Sequence, residues 1–107
     1  MFCKHDEKGY KEVFPGIQMK TIVYGDKTLM TKFIMKEGSV LPEHNHIHEQ
    51  TGYLISGRMR LSIGKETFEV TSGDSWAILE NESHNAVILE DSIAIEVFSP
   101  RRDEFID

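Results

Sequence analysis

The chain of 107 residues is 39% hydrophobic and 28% charged, the composition of one globular domain with a single core. Its net charge of −6, without a block of basic residues, argues against a nucleic-acid partner. Its apolar runs are too short to cross a membrane, and it has one cysteine and no apolar signal region, so we expect a cytoplasmic protein.

The predicted secondary structure consists of short strands and turns from about residue 18 onward. In chain order, the strands are expected at residues 29–36, 52–56, 58–63, 67–71, 75–79, 86–89 and 93–98. Gly64-Lys65 predicts a tight hairpin, while Ser72-Gly73-Asp74 and Glu90-Asp91-Ser92 predict turns. No stretch has a helical period, and no low-complexity linker divides the chain. Short, regularly spaced strands indicate an all-β sandwich or barrel.

Three histidines and a glutamine have the spacing of a metal site. His44 and His46 are two residues apart, so in an extended strand their side chains share a face and can bind one ion. Gln50 follows after a short irregular stretch, and His84 lies about forty residues later. Imidazole nitrogens and an amide oxygen suit a divalent first-row metal with open coordination positions, as a catalytic metal needs. We expect His48 to orient its neighbours rather than to bind the metal.

This spacing resembles the first signature of the cupins, which are small jelly-roll barrels. The signature is Gly, five residues, His-x-His, three or four residues, Glu, six residues, Gly. In this chain its positions are occupied by Gly38, His44, His46, Gln50 and Gly57. The neutral Gln50 leaves a site with a divalent metal dicationic, and therefore a stronger Lewis acid toward a bound anion or carbonyl.

The second cupin signature begins at Gly73. His84 falls at the position of its histidine, whereas Leu79, Asn81 and Ile88 stand where Pro, Gly and Asn are usual. The resemblance implies an all-β, single-domain jelly-roll (cupin) barrel over residues 1–107, with its core at about residues 30–100. It also implies one divalent transition metal ion (Ni, Zn, Mn or Fe) on the four ligand residues.

The C-terminal strand contains a carboxylate among apolar residues. Its alternation puts Ala94, Glu96 and Phe98 on one face. Burying a carboxylate without a partner is costly, so Glu96 either faces water or has a function. Together with His-x-His-x₃-Gln, the segment from Glu96 to Arg102 resembles the pectin-degradation cupins, which linearise unsaturated uronates. Those proteins end in acid-x-Phe-Ser-Pro-x-Arg, with aspartate where this chain has Glu96. The resemblance implies that Glu96 moves a proton, Arg102 grips the substrate carboxylate and Phe98 shapes the pocket wall.

The implied function is a metal-dependent, isomerase-like opening of a small anionic sugar acid. Two alternatives remain: a metal-dependent oxygenase, with which the neutral Gln50 is compatible, and a non-enzymatic cupin that binds a small ligand. The exposed strand edges of a lone jelly roll predict a homodimer with an apolar interface.

Overall fold

Eight antiparallel strands make up the fold in this computed structural model, which describes residues 1–106. They are β1 Lys11–Phe14, β2 Ile17–Tyr24, β3 Leu29–Met35, β4 Val40–His44, β5 Glu49–Ile63, β6 Glu66–Thr71, β7 Ser75–Ile78 and β8 His84–Ser99. One 3₁₀ turn, Asp103–Phe105, follows the last strand. Within these 106 residues, no helix has the length and apolar character needed to span a membrane. The predicted all-β class is confirmed.

The two long strands, β5 and β8, pair with each other along most of their length. The second half of β8 also pairs with β3, and its first half pairs with β4. Similarly, the first half of β5 pairs with β7 and its second half with β6. One layer therefore runs β1-β2-β3-β8-β5-β7 and the other β4-β8-β5-β6, a jelly-roll arrangement. No pairing within residues 1–106 joins β1 to β6, so hydrogen bonds do not close the barrel completely.

The strands β5 and β8 bend side by side where they pass from one layer to the other. The pairing register shifts in the middle of β5, and Gly57 there has a φ of 102°, which favours glycine. A Cβ atom at Gly57 would also overlap Ser92 Oγ. That hydroxyl accepts a hydrogen bond from the Arg58 N–H (3.1 Å) and donates one to the Glu90 carbonyl (2.7 Å). These contacts stabilise the two bends against each other.

The predicted turn at Glu90-Asp91-Ser92 is therefore wrong, because these residues bend β8 without reversing it. Likewise, the predicted strands 52–56 and 58–63 are two parts of β5, and 86–89 and 93–98 are two parts of β8. Pairing between β5 and β8 resumes on both sides of the bends, so the polar residues that indicated a turn mark a change of layer instead.

The sequence patterns gave no strand at β1, β2 or β4. The strand β1 has no alternation of apolar and polar residues, and all four of its side chains are exposed. The strand β4 contains Pro42, which an edge strand tolerates because one side of it has no pairing partner. The predicted hairpin at Gly64-Lys65 is confirmed by the direct pairing of Ile63 with Glu66.

Inward-facing side chains from alternate strand positions fill the space between the two layers. In β3, for example, Leu29, Thr31, Phe33 and Met35 are buried. The hydrophobic core contains Ile17, Met19, Phe33, Met35, Leu54, Met59, Leu61, Val70, Ala86, Ile88 and Ala94. This packing leaves a cavity of about 260 Å³ that extends to the predicted metal ligands.

Candidate metal centre

The structure brings the four predicted metal ligands to one end of the cavity. The candidate ligand atoms of His44, His46 and His84 all lie within 4.8 Å of one another. His44 is the last residue of β4 and pairs with His84, the first residue of β8, while His46 lies in the loop after β4. Gln50, near the start of β5, lines the same cavity as His44 and His84.

One backbone hydrogen bond joins the loop after β4 to the loop before β8. The Asn81 N–H donates to the carbonyl oxygen of His46 over 2.7 Å. Asn81 has a φ of 60°, in the left-handed region that asparagine adopts more readily than most residues. Asn81 therefore meets the conformational requirement at the position where the second signature usually has glycine.

Each of the three histidine rings has its Nδ1 bound to a backbone carbonyl. These bonds are His44 to Pro42 (2.8 Å), His46 to His48 (2.8 Å) and His84 to Glu82 (2.9 Å). Because a carbonyl oxygen only accepts, Nδ1 carries the proton in each neutral ring. The lone pair of Nε2 is then free to bind a metal ion, and metal-binding histidines commonly have such a partner on their other nitrogen.

Two buried atoms at this site lack a hydrogen-bond partner among the residues that the structure describes. They are Nε2 of His46 and Oε1 of Gln50. Gln50 is only 4% exposed, and an unpaired buried polar atom costs about 1–3 kcal/mol. A cation would give both atoms a partner, and nitrogen donors with a neutral oxygen donor suit a divalent transition metal. The residues present therefore fit the metal that the sequence predicts.

Two of the imidazoles lie in surroundings that favour the neutral ring. Burial lowers the pKa of His46 below its ordinary value of 6.5, and the positive charge of Arg102 lowers it further. Burial also lowers the pKa of His84. Since only a ring nitrogen without a proton can bind a metal ion, both shifts favour metal binding near neutral pH.

His48 contributes its backbone to this site. Its carbonyl accepts the hydrogen bond from His46 Nδ1, which orients the His46 ring. Its own ring lies outside the close group of His44, His46 and His84, and its Nδ1 is buried without a partner in the described chain. His48 thus orients the His46 ring through its main-chain carbonyl and not through its own ring.

Glu96 lines the cavity together with Ala94 and Phe98, as the alternation along its strand predicted. Its Oε1 accepts a hydrogen bond of 2.9 Å from the indole N–H of Trp76. Burial raises the pKa of Glu96 to about 7, although hydrogen bonds from Trp76 and Gln50 act in the opposite direction. A carboxyl group with this pKa can both accept and release a proton near neutral pH.

Arg102 lines the cavity from the segment after β8. Its guanidinium carbon lies 4.9 Å from the ring centroid of Phe98 and 4.1 Å from that of Phe105. One terminal nitrogen donates to Glu104 Oε2 (3.2 Å), whereas Nε is buried without a partner in residues 1–106. Arg102 therefore places a positive charge at the wall of the cavity and has one buried N–H group without a partner among the described residues.

Comparison with known proteins agrees with this arrangement. The model of the cupin domain matches residues 31–99. The chain belongs to the cupin family. It is 33% identical to the pectin degradation protein KdgF of Dickeya dadantii (strain 3937) over 103 residues, which cover 94% of each chain.

Solved structures give the same result for this cupin. The structure of KdgF from Halomonas sp. has a TM-score of 0.92 at 31% identity, with 99% of this chain and 98% of that chain covered. An RmlC-like cupin from Shewanella frigidimarina NCIMB 400 has a TM-score of 0.91 at 23% identity, with 98% and 95% covered. The second likeness shows a shared fold.

Sequence patterns missed three contacts of this cupin site. The substitution of Asn81 for the usual glycine was visible, and it could have indicated a left-handed residue there. The bond from Trp76 to Glu96 and the packing of Arg102 on Phe105 gave no signal in the sequence. Both depend on strand register and chain path, which local patterns do not contain.

Proposed function

We propose that this cupin opens the ring of an unsaturated uronate, a sugar acid with a C4–C5 double bond, to give an open-chain keto acid. The main support is that Glu96 and Arg102 line the same cavity as His44, Gln50 and His84. A carboxyl group, a cation and a candidate metal site therefore face one small volume. Similarity to pectin degradation protein KdgF over 94% of each chain supports a substrate derived from pectin.

The proposed reaction is a proton transfer with no net gain or loss of atoms. The C1 hydroxyl loses its proton, and the bond between C1 and the ring oxygen breaks, leaving a C1 aldehyde and an enolate at C4–C5. A proton then adds to C4, which leaves a ketone at C5. Glu96 is the carboxyl group in the cavity that would take or deliver this proton, and the Trp76 N–H holds one of its oxygens.

Arg102 would bind the carboxylate of the substrate. Its guanidinium lies on the rings of Phe98 and Phe105, which limits its movement, and its buried Nε–H has no partner among the described residues. A charge-assisted hydrogen bond from the guanidinium would fix the orientation of the sugar acid. Phe98 would act as the cavity wall beneath the arginine and would exclude water from the reacting atoms.

The proposed cofactor is one divalent transition metal ion, with Ni, Zn, Mn and Fe as the candidates. His44, His46 and His84 would hold it through Nε2, and Gln50 through its amide oxygen. When bound, such an ion supplies a Lewis acid that polarises an oxygen of the substrate. The amide of Gln50 also interacts with Glu96, which a glutamate at this position would repel.

Turnover measured with matched variants tests the proposal. The ultraviolet absorbance of the conjugated double bond should disappear faster with the metal-loaded protein than in buffer alone. Glu96→Gln should lower kcat by about 10²–10⁴-fold, because the amide cannot transfer the proton. Glu37→Gln, at an exposed turn after β3, is the control and should leave kcat unchanged. Equal rates for the wild type and Glu96→Gln would contradict the proposal.

We also infer a homodimer that forms through the outer face of the layer containing β5, β8 and β3. On this face Tyr53 is 49% exposed and Ile55 is 43% exposed, beside the outward-facing Ile93 and Ile95 of β8. Apolar side chains grouped on one exposed face of a sheet favour an interaction site there. Sedimentation at micromolar concentration should give twice the chain mass of 12.3 kDa, and a monomer would contradict the inference.

A further inference from the structure

Three residues on neighbouring strands form a line across the sheet beside the cavity. In the pairing register, Gly52 of β5 lies opposite Trp76 of β7 on one side and Glu96 of β8 on the other. Neighbouring strands are about 4.8 Å apart, so the backbones of Trp76 and Glu96 are separated by roughly 10 Å. Their side chains nevertheless meet, with the indole N–H 2.9 Å from Glu96 Oε1.

Gly52 makes this meeting possible because it has no side chain. A Cβ atom at Gly52 would overlap the indole ring of Trp76, including Nε1, the atom that donates to Glu96. The backbone of Gly52 has no left-handed φ, so its conformation does not require glycine. The lack of a side chain at Gly52 therefore leaves the space in which the indole ring crosses β5.

The hydrogen bond limits the conformations of a flexible side chain. A glutamate has three rotatable side-chain bonds, and a proton-transferring carboxyl group must lie within hydrogen-bond reach of its substrate. The indole is rigid, and its N–H can only donate. It therefore holds one carboxyl oxygen of Glu96 in place at the wall of the cavity.

We propose that Trp76 is a positioning residue for Glu96 and that Gly52 provides the space through which it acts. The inference rests on the proposed function, since it serves the proton transfer assigned to Glu96. Trp76 itself needs no contact with the reacting atoms. Its effect should appear in kcat and leave KM nearly unchanged, because substrate binding is assigned to Arg102.

The indole signal tests the contact without any measurement of activity. Trp76 is the single tryptophan of the chain, so the metal-free protein labelled with nitrogen-15 should give one indole N–H resonance. The spectrum is recorded at about pH 8.5, where the acceptor is a carboxylate, and a hydrogen bond to a carboxylate moves this proton signal downfield. In Glu96→Gln and in Gly52→Ala it should move upfield, since the acceptor is neutral in the first and the indole is displaced in the second. An unchanged signal in both variants would overturn the proposal.

Steady-state kinetics test the positioning role. Trp76→Phe and Gly52→Ala should each lower kcat by about 10–100-fold, the range seen when the partner of a site residue is removed, with less than about a twofold change in KM. Gly25→Ala is the matched control, because a Cβ atom there would have no neighbour within 4 Å. Thermal unfolding and metal content, measured on every variant, identify any that fail to fold. If Trp76→Phe fails to fold, the test rests on Gly52→Ala, which retains the indole.

The outcomes separate this inference from the proposed function. If the wild type opens no unsaturated uronate, the proposed function fails, and the indole signal alone decides whether Trp76 positions Glu96. If the wild type is active but folded Trp76→Phe and Gly52→Ala retain its kcat, the positioning role is wrong and the proposed function stands. A fall in kcat at constant KM in both variants, with the control unchanged, supports both.

Discussion

The two ends of the central cavity differ in how their buried atoms are satisfied. At one end, apolar side chains from both layers fill the interior by packing: Met19, Phe33, Met35, Met59 and Leu61. At the other end lie four buried side-chain polar atoms without a hydrogen-bond partner in residues 1–106, on His46, His48, Gln50 and Arg102. Folded proteins pair nearly all such atoms. A cluster of unpaired polar atoms is typical of a binding site, whereas apolar packing at the other end stabilises the fold.

The largest expected effect is the loss of metal when a ligand at the polar end is removed. His84→Ala should lower metal content from about one equivalent to nearly none, because one of the three imidazole ligands is lost. Even the loss of a residue that only hydrogen-bonds to a metal ligand typically lowers metal affinity by about 10–100-fold. His5→Ala, at an exposed position near the N-terminus, should leave metal content unchanged. Elemental analysis after purification without chelators makes the comparison. Full metal content in His84→Ala would contradict the ligand assignment.

At the apolar end, truncation of an aromatic side chain to alanine should lower stability and leave metal binding intact. Phe33 is 8% exposed, so Phe33→Ala should lower the free energy of unfolding by about 3–5 kcal/mol through lost burial and a new cavity. Phe68→Ala removes a ring that is 44% exposed and should cost much less. Chemical unfolding and metal analysis measure both properties. Loss of metal in folded Phe33→Ala would show that the two ends do not act separately.

Adjacent arginines allow a finer test at the polar end. Arg102→Ala should raise KM for an unsaturated uronate by about 10–100-fold, the effect of losing a charge-assisted hydrogen bond, with a smaller change in kcat. Arg101→Ala is the control, since Arg101 instead pairs with Asp103 (2.7 Å) and the carbonyl of Gly25 (3.2 Å). Initial rates at several substrate concentrations separate the two constants. Equal KM values for the two variants would remove Arg102 from substrate binding.

The smallest expected effect is a dependence of stability on pH. Burial raises the pKa of Glu96 from 4.5 to about 7 in the folded protein, so the folded state binds more protons than the unfolded state between these values. The contribution of Glu96 to stability is therefore fully present below about pH 4.5 and is lost as the pH rises through 7. Because the Glu96 side chain is partly exposed, we expect a loss of about 1–2 kcal/mol rather than the full value of the shift.

Chemical unfolding of the metal-free wild type and Glu96→Gln at several pH values measures this effect. Glutamine does not titrate, so the variant should gain stability relative to the wild type as the pH rises from 5 to 8. A difference that is constant with pH would show that Glu96 has the same pKa in the folded and unfolded states.

The sequence predicted the polar end of the cavity better than the path of the chain. Ligand spacing and strand alternation suffice to place His44, His46 and Glu96, because both are local properties. The layer changes in β5 and β8 could not be predicted, since the polar segment at Glu90 has the composition of a turn and only the buried contact of Ser92 with Arg58 makes it a bend. The oligomeric state remains a prediction.

The most direct test of the central claim follows an unsaturated uronate by proton NMR in D₂O with metal-loaded protein. Ring opening at the polar end of the cavity predicts an open-chain keto acid with one deuterium at C4, formed faster than in buffer and slowed by about 10²–10⁴-fold in Glu96→Gln. No acceleration over buffer with protein that contains about one equivalent of metal would contradict the claim.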